Sequence, residues 1–167
     1  FVYHNKNLLG VLSLDLFAVL FGGAVAFIPE VASTILHTGP IGYGFLNAAM
    51  DLGSLISIGI LVKYPMRQKQ GLKMLLAVAG FGLCIIIFGL SKVYWLSFMA
   101  LLVAGLFDAV SVVVRGTIMQ LYTPDELRGR VASINLIFIN SSNELGQFES
   151  GVTSRMFGTL PAIIFGG

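Results

Sequence analysis

Glu144 is the residue of this chain whose type and setting most suggest chemistry. On a helical wheel it shares a strip with Asn140, Asn143 and Gln147, and Asn135, Ser142, Gly146 and Glu149 form the adjacent strip. A carboxylate within an apolar run can carry a proton, and amides beside it can donate to and accept from a polar substrate. Ile134, Ile137, Phe138, Leu145 and Phe148 leave only a narrow apolar stripe. A helix with so wide a polar arc cannot face lipid on most sides, so it lines an aqueous cavity or packs into a polar interior. The alternative is a helix lying on a membrane surface. Such helices carry Lys and Arg on the polar face, and this one carries carboxylates and amides.

Other charged residues interrupt apolar runs. Asp108 and Arg115 are seven residues apart, two turns along one helical face, with Ser111 between them. They read either as a polar, proton-linked pathway, or as a structural acid paired with a neighbouring helix and an arginine snorkelling to the interface. Asp15 and Asp51 are lone acids in otherwise apolar segments. Asp15 should lie about 10 Å in from its end of the helix, at 1.5 Å per residue, and Asp51 near the midplane. A buried carboxylate can hold a proton at neutral pH, which suits coupling and an inert structural acid equally. His4 and His37 lie outside the apolar runs and receive no metal or catalytic role.

These residues must be positioned by membrane helices. The chain is 56% hydrophobic and 11% charged, with a mean hydropathy of +0.90, against about a quarter charged in an ordinary soluble domain. Its 167 residues divide into five spans near 8–28, 41–62, 74–90, 95–114 and 131–149, and a sixth run, 159–167, too short to cross. Ala18, Gly22 and Ala26, and Ala49, Gly53 and Ser57, are small-residue ridges that let helices approach closely. Pro29 and Glu30 open a loop that closes at Gly39 and Pro40. Thr123–Glu126 reads as a helix cap, with Arg115 at or just past the end of the fourth span. Tyr94 and Trp95 are placed as interfacial anchors.

The basic residues orient the bundle. Of the ten Lys and Arg, eight (Lys6, Lys63, Arg67, Lys69, Lys73, Arg115, Arg128 and Arg130) fall at alternate span ends, and only Lys92 and Arg155 at the others. That is the positive-inside pattern, and it puts Lys63–Lys73 and Arg115–Arg130 on the cytoplasmic side. The net charge of +2 sits in short loops, so it speaks to orientation and not to nucleic acid. Cys84 is the single cysteine, which precludes an intrachain disulfide. Beginning at Phe1, the sequence reads as a piece of something longer.

The expected fold class is therefore all-α, a polytopic membrane helix bundle. No phosphate-binding loop, zinc-protease helix, serine elbow or paired-cysteine spacing is present, and no cofactor is expected. An intramembrane protease or acyltransferase would need a base at depth, and no histidine lies in a span. A non-transporting membrane scaffold remains the other alternative, and only a flux assay separates it from a transporter.

Two stretches carry a family resemblance. Residues 123–131 (TPDELRGRV) resemble the cytoplasmic loop before the eleventh helix of a major facilitator superfamily transporter. Residues 143–151 (NELGQFESG) resemble that helix in the branch that includes the enterobactin exporter and the transmembrane secretion effector permeases, and Ser13–Phe17 (SLDLF) extends the likeness toward the chain start. The resemblance implies the C-terminal six-helix half, spans seven to twelve, of a gradient-driven exporter in the bacterial cytoplasmic (inner) membrane. Its partners would be the bilayer, the N-terminal half, protons and a small siderophore- or drug-like substrate, handled by alternating access at a cavity between halves. Asp15, Asn135, Asn140 and Glu144 would line that cavity, and Asp51, Asn143, Gln147 and Glu149 belong to the same candidate pathway. Asp108 and Arg115 would form a polar link near the cytoplasmic gate. Lys63, Arg67, Arg128 and Arg130 would set topology and gate contacts. Lys63 departs from the pattern, since an acid is expected there. Without its partner half, the chain is expected to self-associate.

Overall fold

The computed structural model describes residues 10, 13, 22–64 and 70–167. A 3-10 helix, Gly22–Phe27, leads into α1 (Ile28–Thr34), followed by α2 (Pro40–Lys63), α3 (Gln70–Leu90) and α4 (Tyr94–Tyr122). A 3-10 turn, Asp125–Leu127, then precedes α5 (Arg128–Phe157) and α6 (Thr159–Gly166). The described residues contain no strand. Among the described residues, three helices are long and apolar enough to cross a membrane: Pro40–Lys63, Gly71–Leu90 and Tyr94–Leu121. The chain is thus a multi-pass membrane helix bundle. α5 is longer than these, but its amides and carboxylates lower its hydropathy, so it needs other helices or water beside it.

α4 is the central strut and packs against both α2 and α3. The α2–α4 seam is built from small residues. Ala49, Gly53 and Ser57 are all buried along α2. A Cβ added at Gly53 would land on the Leu102 carbonyl, and one added at Gly105 on the Met50 carbonyl. The backbones therefore touch, and Ser54 Oγ donates across the seam to the Gly105 carbonyl at 3.1 Å. The ridge expected on α2 is thus a packing surface. Of the corresponding ridge on the first span, Ala18 lies outside the described residues.

Two buried clusters mark the two ends of the bundle. One joins Phe27, Ile28 and Val31 to Leu46 of α2, Ile85 and Phe88 of α3, Leu101 of α4 and Ile163 of α6. The other joins Met74 at the start of α3 to Val114, Ile118 and Met119 late in α4 and Val131 early in α5. The second cluster lies at the end where Lys63, Lys73, Arg128 and Arg130 also fall, so the parity of the basic residues is matched by packing. At the opposite end, Ser91 folds the α3–α4 connection by accepting from the Val93 amide at 3.3 Å and donating to the Val93 carbonyl at 3.0 Å. Trp95 is 70% exposed and makes edge contacts to Tyr94 and Phe98, as an interfacial anchor does.

Several boundaries differ from the sequence reading. Pro29 and Glu30 do not open a loop; they lie in the first turn of α1, where proline has no amide to lose. The fourth span continues two turns beyond Arg115 to Tyr122, because a charge lowers hydropathy without breaking a helix. Thr123 does not cap α5. Its hydroxyl is buried without a hydrogen-bond partner, and a 3-10 turn makes the entry instead. α5 also extends past Glu149 to Phe157.

Candidate functional site

α5 separates the two polar strips read from its sequence. Ser142, Gly146 and Ser150 are buried, and Asn135 and Glu149 half-buried, so one strip packs inward. The small residues there permit close approach to the 3-10 segment and α6, against which α5 packs. Glu149 Oε1 accepts from Thr153 Oγ1 at 2.8 Å, one turn along the helix, and is thereby partly satisfied within α5. Asn140, Asn143, Glu144 and Gln147 form the second strip, and all four are exposed. Exposed apolar residues flank them, Phe138 at 56% and Phe148 at 72%. The result is a broad face of amides, one carboxylate and aromatic edges that nothing in the described bundle covers.

A second exposed acid lies on α2. Asp51 is halfway along that helix and exposed, with Asn47 exposed one turn before it. Asn47 Nδ2 donates to Tyr43 Oη at 3.5 Å, so Tyr43, Asn47 and Asp51 fall on one face at helical spacing. Counting at 1.5 Å per residue, Asp51 and Glu144 both fall about 15–25 Å from either end of their helices.

α4 carries the third group. Asp108 is half-buried, with Ser111 at 7% and Arg115 at 8% exposure below it on the same face. They bridge the interval between the two apolar clusters. Of the two alternatives for Arg115, snorkelling to the interface does not match this burial: the helix end lies two turns further on, and the arginine is held within the bundle.

At the basic end, Arg128 closes the α4–α5 corner. Its Nη1 pairs with Asp125 Oδ1 at 2.8 Å, and Nη2 donates to the Gln120 carbonyl, an otherwise free acceptor at the end of α4, at 3.2 Å. Arg130 is exposed, and Lys63 is exposed with its ammonium 5.7 Å from the centre of the Tyr64 ring. Asp15 and Arg67 lie outside the described residues. The structure therefore brings the α5 strip together as one surface, and holds Asp108, Ser111 and Arg115 as a separate line inside the bundle. Among the described residues, no three His, Cys, Asp or Glu side chains are grouped to hold a metal ion.

Sequence reasoning missed one polar contact. Thr159 Oγ1, at the start of α6, donates to Glu30 Oε1 in α1, and lies 3.4 Å from Ser154 Oγ near the end of α5. Glu30 and Thr159 are 129 residues apart, so no local spacing could have signalled the pair.

The transmembrane secretion effector family matches residues 5–167. The chain is similar to the enterobactin exporter EntS of Escherichia coli O1:K1 / APEC, 36% identical over 88 residues, covering 53% of this chain and 21% of that protein. The same identity over the same length holds for EntS of Shigella flexneri, with 22% of that protein covered. The matched stretch is thus about a fifth of the length of these curated relatives. No solved structure matches the chain.

Proposed function

Because this chain belongs to the transmembrane secretion effector family of the major facilitator superfamily, we propose that it is the C-terminal half of a gradient-driven exporter of the inner membrane. In this reading an N-terminal half covers the exposed faces of α5 and α2, and a substrate cavity lies between the two halves. The single observation that carries this reading is the exposed strip Asn140, Asn143, Glu144 and Gln147 on a helix too polar to face lipid.

The roles follow from position. The amides hold a small amphipathic substrate of siderophore or drug type by hydrogen bonds, with Phe138 and Phe148 supplying apolar contact. Glu144, at mid-depth and exposed to the cavity, exchanges a proton when the cavity opens to water. Asp51 faces the partner half at similar depth. Asp108, Ser111 and Arg115 link the cavity region to the gate at the basic end, where Arg128 fixes the α4–α5 corner. Alternating access then arises from rocking of the halves about this midplane site.

The relatives are named as enterobactin exporters, which makes enterobactin the first probe. The test is efflux from proteoliposomes containing the two-half protein, with enterobactin and a cationic dye offered separately under an imposed proton gradient. Gradient-dependent efflux of either supports the reading. Absence of both, in protein that remains folded, supports a membrane scaffold instead.

A further inference from the structure

The end of the bundle opposite the basic residues carries two weak points in the backbone, joined by one side-chain contact. The first is the helix Gly22–Phe27, six residues of 3-10 geometry feeding directly into α1. Runs of 3-10 longer than three or four residues are uncommon, because their hydrogen-bond geometry is poorer than that of an α-helix, so six in a row are a soft point in the backbone. The second is Gly158, the single residue between α5 and α6. Its φ of 91° and ψ of 164° fall in a region open essentially to glycine alone. α5 and α6 both pack against the 3-10 segment, so the two weak points share one junction.

Glu30 and Thr159 span that junction. The Thr159 hydroxyl, just past Gly158, donates to the Glu30 carboxylate, just past the 3-10 segment. Ser154 Oγ lies on the other side of Gly158 at 3.4 Å from Thr159 Oγ1, so the contact holds α6 to the end of α5 as well. Ser33 and Thr34 donate to the Glu30 carbonyl at 3.1 and 2.6 Å, bonds that lie within α1.

We propose that Glu30 and Thr159 form a latch at the non-cytoplasmic end, holding α1 against the α5–α6 corner and keeping the outward gate closed. When the hydroxyl leaves the carboxylate, the chain bends at Gly22–Phe27 and swings at Gly158, which frees the end of α5 from the 3-10 segment. Opening toward the outside is then set by one hydrogen bond across two hinges. The gating part rests on the alternating-access reading above; the brace at the junction does not.

The test uses the full two-half protein in nanodiscs, with Thr159→Val, which keeps the shape and removes the donor, beside Thr159→Ser, which keeps it. Hydrogen exchange is followed in peptides covering 22–34 and 152–166. A second measurement is the labelling rate, from the non-cytoplasmic side, of a cysteine replacing Gln147 in a Cys84→Ala background. Loss of one hydrogen bond should speed both by about two- to tenfold in Thr159→Val, with Thr159→Ser near wild type. Unchanged exchange in Thr159→Val overturns the latch outright. Faster exchange with unchanged labelling at 147 leaves a brace and overturns the gate. A cysteine at 147 that reacts in no variant, with exchange accelerated, overturns the gate together with the cavity assigned to α5. A Glu30→Cys, Thr159→Cys pair gives the converse reading: oxidative cross-linking should form readily and suppress labelling at 147, and failure to cross-link contradicts the contact itself.

Discussion

Glu144 lies about sixteen residues into α5, roughly 24 Å from its basic end at 1.5 Å per residue, and it is exposed beside three amides. Gln in its place keeps the shape and the hydrogen-bonding reach but removes the titratable proton. A structural acid should tolerate that change, because a neutral group costs less to bury than a charged one. The expected result for Glu144→Gln is therefore lost flux in proteoliposomes with unchanged thermal stability in detergent. Wild-type flux at every pH would leave the residue as packing. If flux is lost, its pH profile divides coupling from substrate contact. The candidate strip itself was legible in the sequence, because helical periodicity sorts the amides from the apolar residues of α5 without tertiary information. Which of the two strips packs inward was not, since Ser142 and Gly146 are as polar or small as their neighbours. Only the position of the 3-10 segment and α6 decides it. Arg115 was misplaced for a related reason: hydropathy falls at a charge, but the helix does not end there.

At the scale of the element, the α2–α4 seam sets how the bundle closes. Gly53 and Gly59 lie on the same helix but differ in what surrounds them. A methyl at Gly53 meets the Leu102 carbonyl, whereas at Gly59 nothing lies within 4 Å. Gly53→Ala should lower stability by about 1–3 kcal/mol, the usual cost of overpacking, and Gly59→Ala should be close to neutral. Thermal unfolding of the two variants in one detergent checks this, and equal losses would contradict the seam. The small-residue spacing made the ridge readable from sequence, because backbone contact between membrane helices demands it. The α1 helix was hidden by the opposite logic. Pro29 reads as a breaker, yet in the first turn it costs no hydrogen bond. Thr123 likewise looks like a cap by type, but its buried hydroxyl bonds none of the amides it would serve.

The described residues form a bundle with a basic end and an opposite end that carries Tyr94 and Trp95, and its orientation is open to direct test. A cysteine at Arg130 should be reached by an impermeant thiol reagent only from the cytoplasm, and one at Lys92 only from outside. Both residues are exposed, whereas Ser91 is buried and makes a poor probe. Reversed labelling on intact cells would invert the topology. The uncovered faces of α2 and α5 also bear on assembly. Expressed alone in mild detergent, the chain should associate with itself through them, and a monodisperse monomer would contradict that expectation. Most directly, the account turns on whether the α5 strip faces water that is open alternately to the two sides of the membrane. A cysteine replacing Asn143 in the two-half protein, in a Cys84→Ala background, should react with an impermeant maleimide in both right-side-out and inside-out vesicles. Imposing a proton gradient should raise the rate from one side as it lowers the rate from the other. A cysteine at 143 that is unreactive from both sides, or reactive equally from both with no response to the gradient, would contradict it.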